Sequence, residues 1–348
     1  DILIVKPPKK SPLALRMIVL GVAMICGVYI CSVCLKQIGN NTIPRMIKIE
    51  RTTHSCRRAS FSQFENTHLH YPEPTTYSRG ECACTPVRFF AILSTQRSGS
   101  GWFETLLNSH INISSNGEIF SAKERRSNIS SIIQTLDKVY NLDWYSSAAK
   151  NECTAAVGFK WMLNQLMAAF HVYAPLISQG LIENHEEVVA YFSRRHISAI
   201  FLFRRNLLRQ LVSLLANNHD RDLKQLNGTH KAHVHSKDEA DVLARYKPKL
   251  NATSLIPRLK QAEEYVANAI ESLKTISHIV IFYEDLINNQ TMLMDVLNFM
   301  GMPERKLFSR HVKIHRKPLA EQIENWDEVY NVLNGTRYES FLNSDYSM

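Results

Sequence analysis

The chain has 348 residues, enough for one sizeable domain of roughly 250 residues plus additional segments. Charged residues make up 21% of it and hydrophobic residues 45%, which is the composition of a globular protein and excludes a largely disordered chain. The formal net charge of +9 indicates an anionic partner, but composition does not choose among a phosphorylated cofactor, an acidic glycan and nucleic acid. The lumenal topology inferred below argues against nucleic acid.

The first feature along the chain is an uncharged apolar stretch over residues 17–35 (MIVLGVAMICGVYICSVCL). Its length is close to the ~20 residues that a membrane-spanning helix needs. It follows a short basic segment containing Lys6, Lys9, Lys10 and Arg16. We therefore expect a cytoplasmic tail over 1–16 and a membrane anchor over 17–35; a cleaved signal or a buried helix is the alternative.

Glycosylation sequons and cysteines indicate the compartment of the remainder. All seven Asn-x-Ser/Thr sequons follow the apolar stretch, as a lumenal C-terminal part requires: Asn40, Asn112, Asn128, Asn227, Asn251, Asn289 and Asn334. Four cysteines lie beyond the stretch, an even number compatible with disulfides whose pairing the sequence leaves open: Cys56, Cys82, Cys84 and Cys153. Zinc binding by Cys82 and Cys84 lacks a second pair at zinc-like spacing.

Residues 36–85 have no sustained apolar periodicity and predict a stem, whereas 86–348 predicts a folded domain. Short apolar runs separated by helical patterns predict buried parallel strands in an α/β sheet. The strand candidates are Val87–Ser94, Ala155–Met162, Ile197–Phe203 and His278–Glu284. The helix candidates are Trp102–Asn108, Arg205–Asn217, Leu255–Leu273 and Met292–Met300.

The first strand runs into the small-residue loop Thr95–Gly101 (TQRSGSG) and then into an amphipathic helix. Backbone N–H groups and the dipole at a helix start favour an anion in such a loop. The pattern GxxxxGK[ST] is absent, so a nucleotide kinase is poorly supported, and Arg97 is the basic residue available instead. A glycine-containing turn with an exposed arginine is the plainer interpretation.

The second long strand ends at Arg204 and Arg205, and Ser213 lies eight residues beyond Arg205 in the following helix. An arginine at a strand end and a serine two turns into the next helix can converge on one phosphate. Taken alone, an exposed arginine pair and an ordinary helical serine explain the same pattern.

Together these segments resemble the sulfotransferase family over residues 86–328. The loop QRSGSGW is similar to the family's 5′-phosphosulfate loop, FLFRRNLLRQLVS to its 3′-phosphate element and IVIFYEDLI to its third strand. The likeness is greatest to plant Golgi-type and bacterial Nod-factor-type carbohydrate sulfotransferases. It departs from the common pattern where the loop lacks a lysine and where Arg205 is followed by Asn-Leu instead of Asp-Pro.

The resemblance implies a P-loop-like parallel sheet, a Golgi membrane location and sulfuryl transfer from 3′-phosphoadenosine 5′-phosphosulfate (PAPS) to a carbohydrate hydroxyl without a metal. It places the donor's 5′ end on residues 96–102 and the 3′-phosphate on Arg205 and Ser213. The residues of the 5′ site are Gln96, Arg97, Ser98, Gly99, Ser100, Gly101 and Trp102.

The resemblance also suggests catalytic residues. Glu118 is the first choice for the general base, His110 the second, and Lys160 could reach the bridging oxygen or the acceptor. Arg97 would carry the sulfuryl charge. A basic C-terminal segment often closes over the nucleotide in this family, which makes Lys313, Arg316 and Lys317 candidate contacts.

Two other patterns indicate different functions. Asp220 and Asp222 form a DxD sequence, which Golgi glycosyltransferases use to hold a divalent ion and a sugar nucleotide. His230, His233 and His235 are of metal-ligating types but lie in a polar, loop-like region. A non-catalytic lumenal protein that binds acidic glycans through the basic surface is the third alternative.

Overall fold

The computed structural model describes residues 20–29, 87–144, 154–163 and 180–343, together with Met17 and Ser32. The chain divides into two units, residues 1–59 and 60–348. In the first unit, residues 20–29 are helical with exposed side chains. None of the helices in the described ranges is both long enough and apolar enough to cross a bilayer. The predicted tail, seven of the 19 residues of the predicted anchor, the predicted stem and the four cysteines beyond the anchor lie outside the described residues.

The second unit is built on a five-stranded sheet in which every pairing is parallel. The strands are β1 (Arg88–Ser94), β2 (Ile113–Ser115), β3 (Ala156–Met162), β4 (Ile197–Phe203) and β5 (His278–Phe282), in the spatial order β2-β3-β1-β4-β5. The prediction of an α/β fold with a parallel sheet is confirmed, as are the four predicted strands. The three-residue strand β2 was not predicted.

Helices connect and cover these strands. In chain order they are α1 (Ser100–Ser109), α2 (Ile129–Tyr140), α3 (His185–Arg195), α4 (Leu207–Leu223), α5 (Lys237–Leu243), α6 (Ala252–Ser272), α7 (Tyr283–Asn288), α8 (Gln290–Phe299), α9 (Leu319–Gln322) and α10 (Trp326–Leu333). The four predicted helices correspond to α1, α4, α6 and α8 and are confirmed.

Both faces of the sheet are buried, which explains why its strands are almost continuously apolar. One face of β1 contributes Ile92 to a cluster with Phe103 of α1, and the other contributes Leu93 to a cluster with Leu136 of α2. Residues that alternate along each strand therefore enter opposite hydrophobic layers.

The strand order creates a crevice at the carboxyl edge of the sheet. β1 lies between β3 and β4, and the chain leaves β1 toward the β3 side but later returns to the β4 side. Ligands of open parallel sheets bind at such a switch point, outside the carboxyl ends of the strands. The loop after β1 opens onto this crevice.

Candidate functional site

A cavity of about 400 Å³ lies at this edge of the sheet. Its volume is within the range of small-molecule sites, about 300–1,000 Å³. Among the described residues that line it, four side chains are cationic (Arg97, Lys160, Arg204 and Lys313) and one is a carboxylate, Glu118. The cavity is thus suited to a strongly anionic ligand.

The loop after β1 forms the floor of the cavity and ends in a helix start that no described side chain caps. Arg97 (φ 62°) and Gly99 (φ 84°) both have left-handed backbone conformations. For Arg97, a non-glycine residue, this costs on the order of 1 kcal/mol. The uncapped N–H groups at the start of α1 and the positive end of its dipole make this floor a suitable anion site.

The loop is held by one amide side chain from α4. Gln210 Nε2 donates to Thr95 Oγ1 (3.0 Å), to the Gln96 carbonyl (2.5 Å) and to Ser98 Oγ (3.1 Å). The Thr95 and Ser98 hydroxyls lie 2.7 Å apart. Ser98 is fully buried and does not line the cavity. The structure therefore gives the Ser98 side chain a role in shaping the loop.

The two loop glycines make room for aromatic rings. A Cβ atom on Gly99 would lie 2.4 Å from the ring of Tyr283, and one on Gly101 would lie 2.3 Å from the ring of His233. Tyr283 also packs edge-on against Trp102, with 5.6 Å between ring centroids. The glycines thus let aromatic side chains close onto the loop, and they leave two aromatic surfaces facing the cavity.

The structure brings Arg97 and Ser213 together. Arg97 Nε donates to Ser213 Oγ at 2.9 Å, and its Nη1 donates to the carbonyl of Ala232 at 2.9 Å. Burial, followed by the charge of Arg204, lowers the pKa of Arg97 to about 10, so the guanidinium remains protonated at neutral pH. Arg97 of the predicted 5′ element and Ser213 of the predicted 3′ element therefore meet in one cavity.

Arg205, predicted to bind the 3′-phosphate, does not line the cavity. Its guanidinium forms a two-point ion pair with Asp285 and lies 4.4 Å from the ring centroid of Phe282. Arg204 lines the cavity in its place, 5.2 Å from the ring centroid of Tyr283 and 3.6 Å from a carboxylate oxygen of Glu284. The two arginines directly follow β4 and take opposite sides of the sheet: Arg204 lies beside Tyr283, which packs on the layer of α1, and Arg205 lies beside Phe282, which packs on the other layer.

Lys160 and Glu118 both line the cavity and lie close to each other. Lys160 Nζ lies 3.9 Å from Glu118 Oε2 and 3.5 Å from Glu104 Oε2. Glu104 is buried, and its other oxygen accepts bonds from the Ser115 hydroxyl (2.6 Å) and the Gly117 N–H (2.9 Å). Glu104 therefore holds both the lysine and the backbone turn that carries Glu118.

Two chain segments form the outer wall of the cavity, defined here as residues 232–235 and 311–315. They meet through an antiparallel bridge in which Val312 N–H donates to the Val234 carbonyl at 2.9 Å. The rings of His233 and His311 stack with 4.6 Å between centroids. Burial, then the charges of Arg97 and other cations, lowers the pKa of His315 to about 3, so its imidazole is neutral at physiological pH.

No protein-family model matches the chain, and no curated protein matches it. Seven solved chains match. One, a "Sulfotransferase Domain from the Curacin Biosynthetic Pathway", is 16% identical over 64% of this chain and 76% of that chain, with a TM-score of 0.30. Since that TM-score does not establish a shared fold, function has to be inferred from the geometry of the cavity.

Three further predicted residues lie away from the cavity. His110 is fully buried at the end of α1; its Nδ1 accepts from the Asn112 N–H, so its Nε2 donates to the Pro303 carbonyl. Arg316 donates to the Lys313 carbonyl, and Lys317 pairs with Glu321 at 3.3 Å. None of the three lines the cavity. The remaining predicted residues do: Gln96, Arg97, Gly99, Ser100, Gly101, Trp102, Glu118, Lys160, Lys313 and Ser213.

The DxD acids do not face one site. Asp220 is buried and accepts from His230 Nδ1 at 2.6 Å, whereas Asp222 is exposed on the same helix and lies 3.8 Å from Arg221. In the described ranges, no group of three His, Cys, Asp or Glu residues could hold a metal ion.

The residues missed from sequence are Arg204, Glu104, Tyr283 and His315. Continuing the alternation of β4 by one residue was an available signal for Arg204, because it places Arg204 on the side of Leu202, in the hydrophobic layer that includes α1. Glu104 is the only acidic residue of α1 and lies between apolar neighbours, which is unusual for an exposed carboxylate. His315 belongs to the segment 311–315, which lies far from the other site residues in sequence, and no local sequence pattern marks it.

Proposed function

We propose that the protein is a sulfotransferase that moves a sulfuryl group from PAPS to an acceptor hydroxyl, on a carbohydrate or glycoconjugate. The observation that carries this proposal is the convergence of Arg97 and Ser213 at 2.9 Å in a cation-lined cavity that also contains Glu118. The loop and helix segments that build the convergence are those whose sequences resemble the sulfotransferase family.

The described residues fit a donor of this kind. The start of α1 and Arg97 would hold the phosphosulfate, while Ser213 and Arg204 would hold the 3′-phosphate. The rings of Trp102 and Tyr283 offer surfaces on which an adenine can stack. When bound, PAPS would supply the sulfuryl group, and adenosine 3′,5′-bisphosphate would be the leaving group.

Glu118 is positioned to accept the proton of the acceptor hydroxyl, and Lys160 supplies positive charge beside it. Glu104 keeps Lys160 in place. Because the residues act mainly through orientation and charge, most of the rate enhancement would come from positioning and electrostatic stabilisation.

The cellular setting is part of the same proposal: a Golgi membrane protein with its catalytic domain in the lumen. The apolar stretch at 17–35 and the sequons motivate it. Of the six sequon asparagines among the described residues, all but Asn112 are exposed and accessible to glycosylation.

The test is binding of adenosine 3′,5′-bisphosphate to the full chain, measured by calorimetry without metal. We expect binding that depends on the 3′-phosphate, with adenosine 5′-monophosphate at least about tenfold weaker. Arg204→Gln should weaken binding roughly 10- to 100-fold, because it removes a charge-assisted contact. Arg205→Gln is the matched control and should change affinity less than about threefold, since Asp285 holds that guanidinium away from the cavity.

Absence of adenosine 3′,5′-bisphosphate binding by the unmodified chain would contradict the proposal. A preference for UDP with manganese would instead favour a glycosyltransferase, and binding of acidic glycans alone would favour the non-catalytic alternative. Loss of binding in Arg205→Gln but not in Arg204→Gln would show that Arg205, the residue indicated by the sequence spacing, binds the 3′-phosphate.

A further inference from the structure

The chain from 303 to 312 runs alongside α1 in the opposite direction. At the carboxyl end of α1, His110 Nε2 contacts the Pro303 carbonyl at 3.1 Å. The Phe308 N–H donates to Ser109 Oγ at 3.0 Å. The segment thus begins at the end of the helix that is far from the cavity.

The same segment then follows α1 toward the cavity. Ser309 Oγ lies 2.5 Å from Thr105 Oγ1, one turn further toward the start of the helix. Two residues later His311 lines the cavity. At 1.5 Å of rise per residue, the ten residues of α1 span about 15 Å, so the segment forms a path of about that length to the site.

This path is positively charged. Arg305, Lys306 and Arg310 are exposed, and none of them makes an ion pair with the described residues. We call these three residues the basic strip. Glu304 is the only acidic residue between positions 303 and 317, and six residues of that range are Lys or Arg. Phe308 lies between Lys306 and Arg310 in the sequence and is 61% exposed.

The neighbouring acids do not neutralise the strip. Glu104, the only acid on α1, is buried beside Lys160 on the face turned toward the sheet. Close to the outer wall, two acids of α5 are already paired: Glu239 pairs with Lys231, and Asp241 lies 4.0 Å from Arg316. The positive potential along the strip therefore remains available to a ligand.

We propose that the basic strip binds an anionic polysaccharide and directs it into the cavity, so that the acceptor is a uronate-bearing or already sulfated glycan chain. This inference rests on the proposed function. Three charges along a path that ends at Glu118's cavity suit a linear chain with repeated negative charge. A polysaccharide offers a hydroxyl on every unit for transfer, and the exposed ring of Phe308 offers an apolar face for a sugar ring.

The test measures binding of polygalacturonate, with neutral dextran for comparison, to the full chain by calorimetry at low and moderate salt. The triple variant Arg305→Gln, Lys306→Gln, Arg310→Gln should bind polygalacturonate about tenfold or more weakly and show a shallower salt dependence. The matched control removes three exposed basic residues that do not line the cavity, Lys138, Arg194 and Lys274, each changed to Gln. It should keep affinity within about twofold.

Equal losses in both triple variants would overturn the inference, because the effect would then follow net charge alone. Tighter binding of poly-glutamate than of polygalacturonate would also overturn it, in favour of an acidic peptide. Adenosine 3′,5′-bisphosphate binding is measured on the same samples. Retained nucleotide binding without polygalacturonate binding would reject the acceptor class and leave the proposed function standing.

Discussion

At the scale of single residues, two buried glutamates each lie beside a different cation of the cavity. Glu104 contacts Lys160 on what the proposed function makes the acceptor side, and Glu284 contacts Arg204 on what it makes the donor side. Glu284 also accepts from the backbone N–H of Arg205 at 3.0 Å, and so fixes the turn after β4. Each carboxylate acts through the cation that it holds, which makes both of them positioning residues.

Changing these two glutamates should therefore affect different quantities. Glu104→Gln should lower kcat for sulfate transfer about tenfold with nucleotide affinity within about threefold, because Lys160 loses the nearer and more buried of its two carboxylate partners. Glu284→Gln should mainly weaken nucleotide binding. Steady-state kinetics with any glycan that the unmodified enzyme sulfates, together with nucleotide calorimetry, separates the two. If both variants lowered only stability, a positioning role for either would be excluded.

Arg204 and Arg205 show how much of the site could be predicted from the alternation of side chains along a strand. If the alternation of β4 (Ile197–Phe203) is continued to the two residues that follow it, Arg204 falls on the face of Leu202 and Arg205 on that of Phe203. The alternation alone therefore points Arg204 toward the layer of α1 and the loop. Matching of the eight-residue spacing to Ser213 selected Arg205 instead, since spacing along a chain does not report which face a side chain takes.

At the scale of elements, the loop after β1 depends on two glycines for different reasons. Gly101 has no positive φ, and only the outer part of the His233 ring occupies the space of its missing Cβ. Gly99 combines φ 84° with close approach of the Tyr283 ring. A side chain at Gly101 meets a movable neighbour, whereas one at Gly99 also meets backbone strain.

We therefore expect Gly101→Ala to cost less than about 1 kcal/mol of stability but to weaken nucleotide binding by displacing His233. Adding His233→Ala should recover most of the loss in affinity. Gly99→Ala should be more destabilising, and Tyr283→Ala should not restore it, because the strain remains. Thermal unfolding and nucleotide calorimetry on the four variants test this, and recovery of Gly99→Ala by the tyrosine change would contradict it.

Only four of the ten helices in the described ranges were predicted from sequence, but the strands were largely predictable, because strands buried on both faces leave long apolar runs. The exception is β2, whose three residues Ile113–Ser115 carry too little periodicity to be recognised. Its position matters all the same, since it delivers the chain to Glu118. The outer wall was not predictable, because it joins two polar segments that lie far apart in sequence.

At the scale of the whole molecule, the excess of cations around the cavity has a cost that depends on pH. Burial and then Arg97, Arg204, Arg209 and Lys313 lower the pKa of His315 to about 3 from the ordinary value of 6.5. Below pH 6.5 the unfolded chain takes up a proton that the folded chain does not. The stability contributed by neutral His315 is therefore complete above pH 6.5 and is lost as the pH falls toward 3.

Urea unfolding between pH 6.5 and pH 4 should show this dependence. His315→Gln should reduce the slope of stability against pH, by at most about 1.4 kcal/mol per pH unit. Bound adenosine 3′,5′-bisphosphate should also flatten the slope, because its negative charge offsets the cations that disfavour protonation. An unchanged slope in His315→Gln would show that the imidazole titrates normally.

The contacts of Gln210 carry a consequence for how ligands exchange. This one amide from α4 joins the loop after β1 to the helix that bears Ser213, so we expect the two elements that would hold the phosphates to move together. A nucleotide cannot leave by separating them without breaking all three bonds. Across the described part of the outer wall, by contrast, the two segments meet at one backbone bridge and through the ring of His311, which packs on those of His233 and His235. We therefore expect the product nucleotide to depart outward, so that its release rate is set by how often the Val234–Val312 bridge opens.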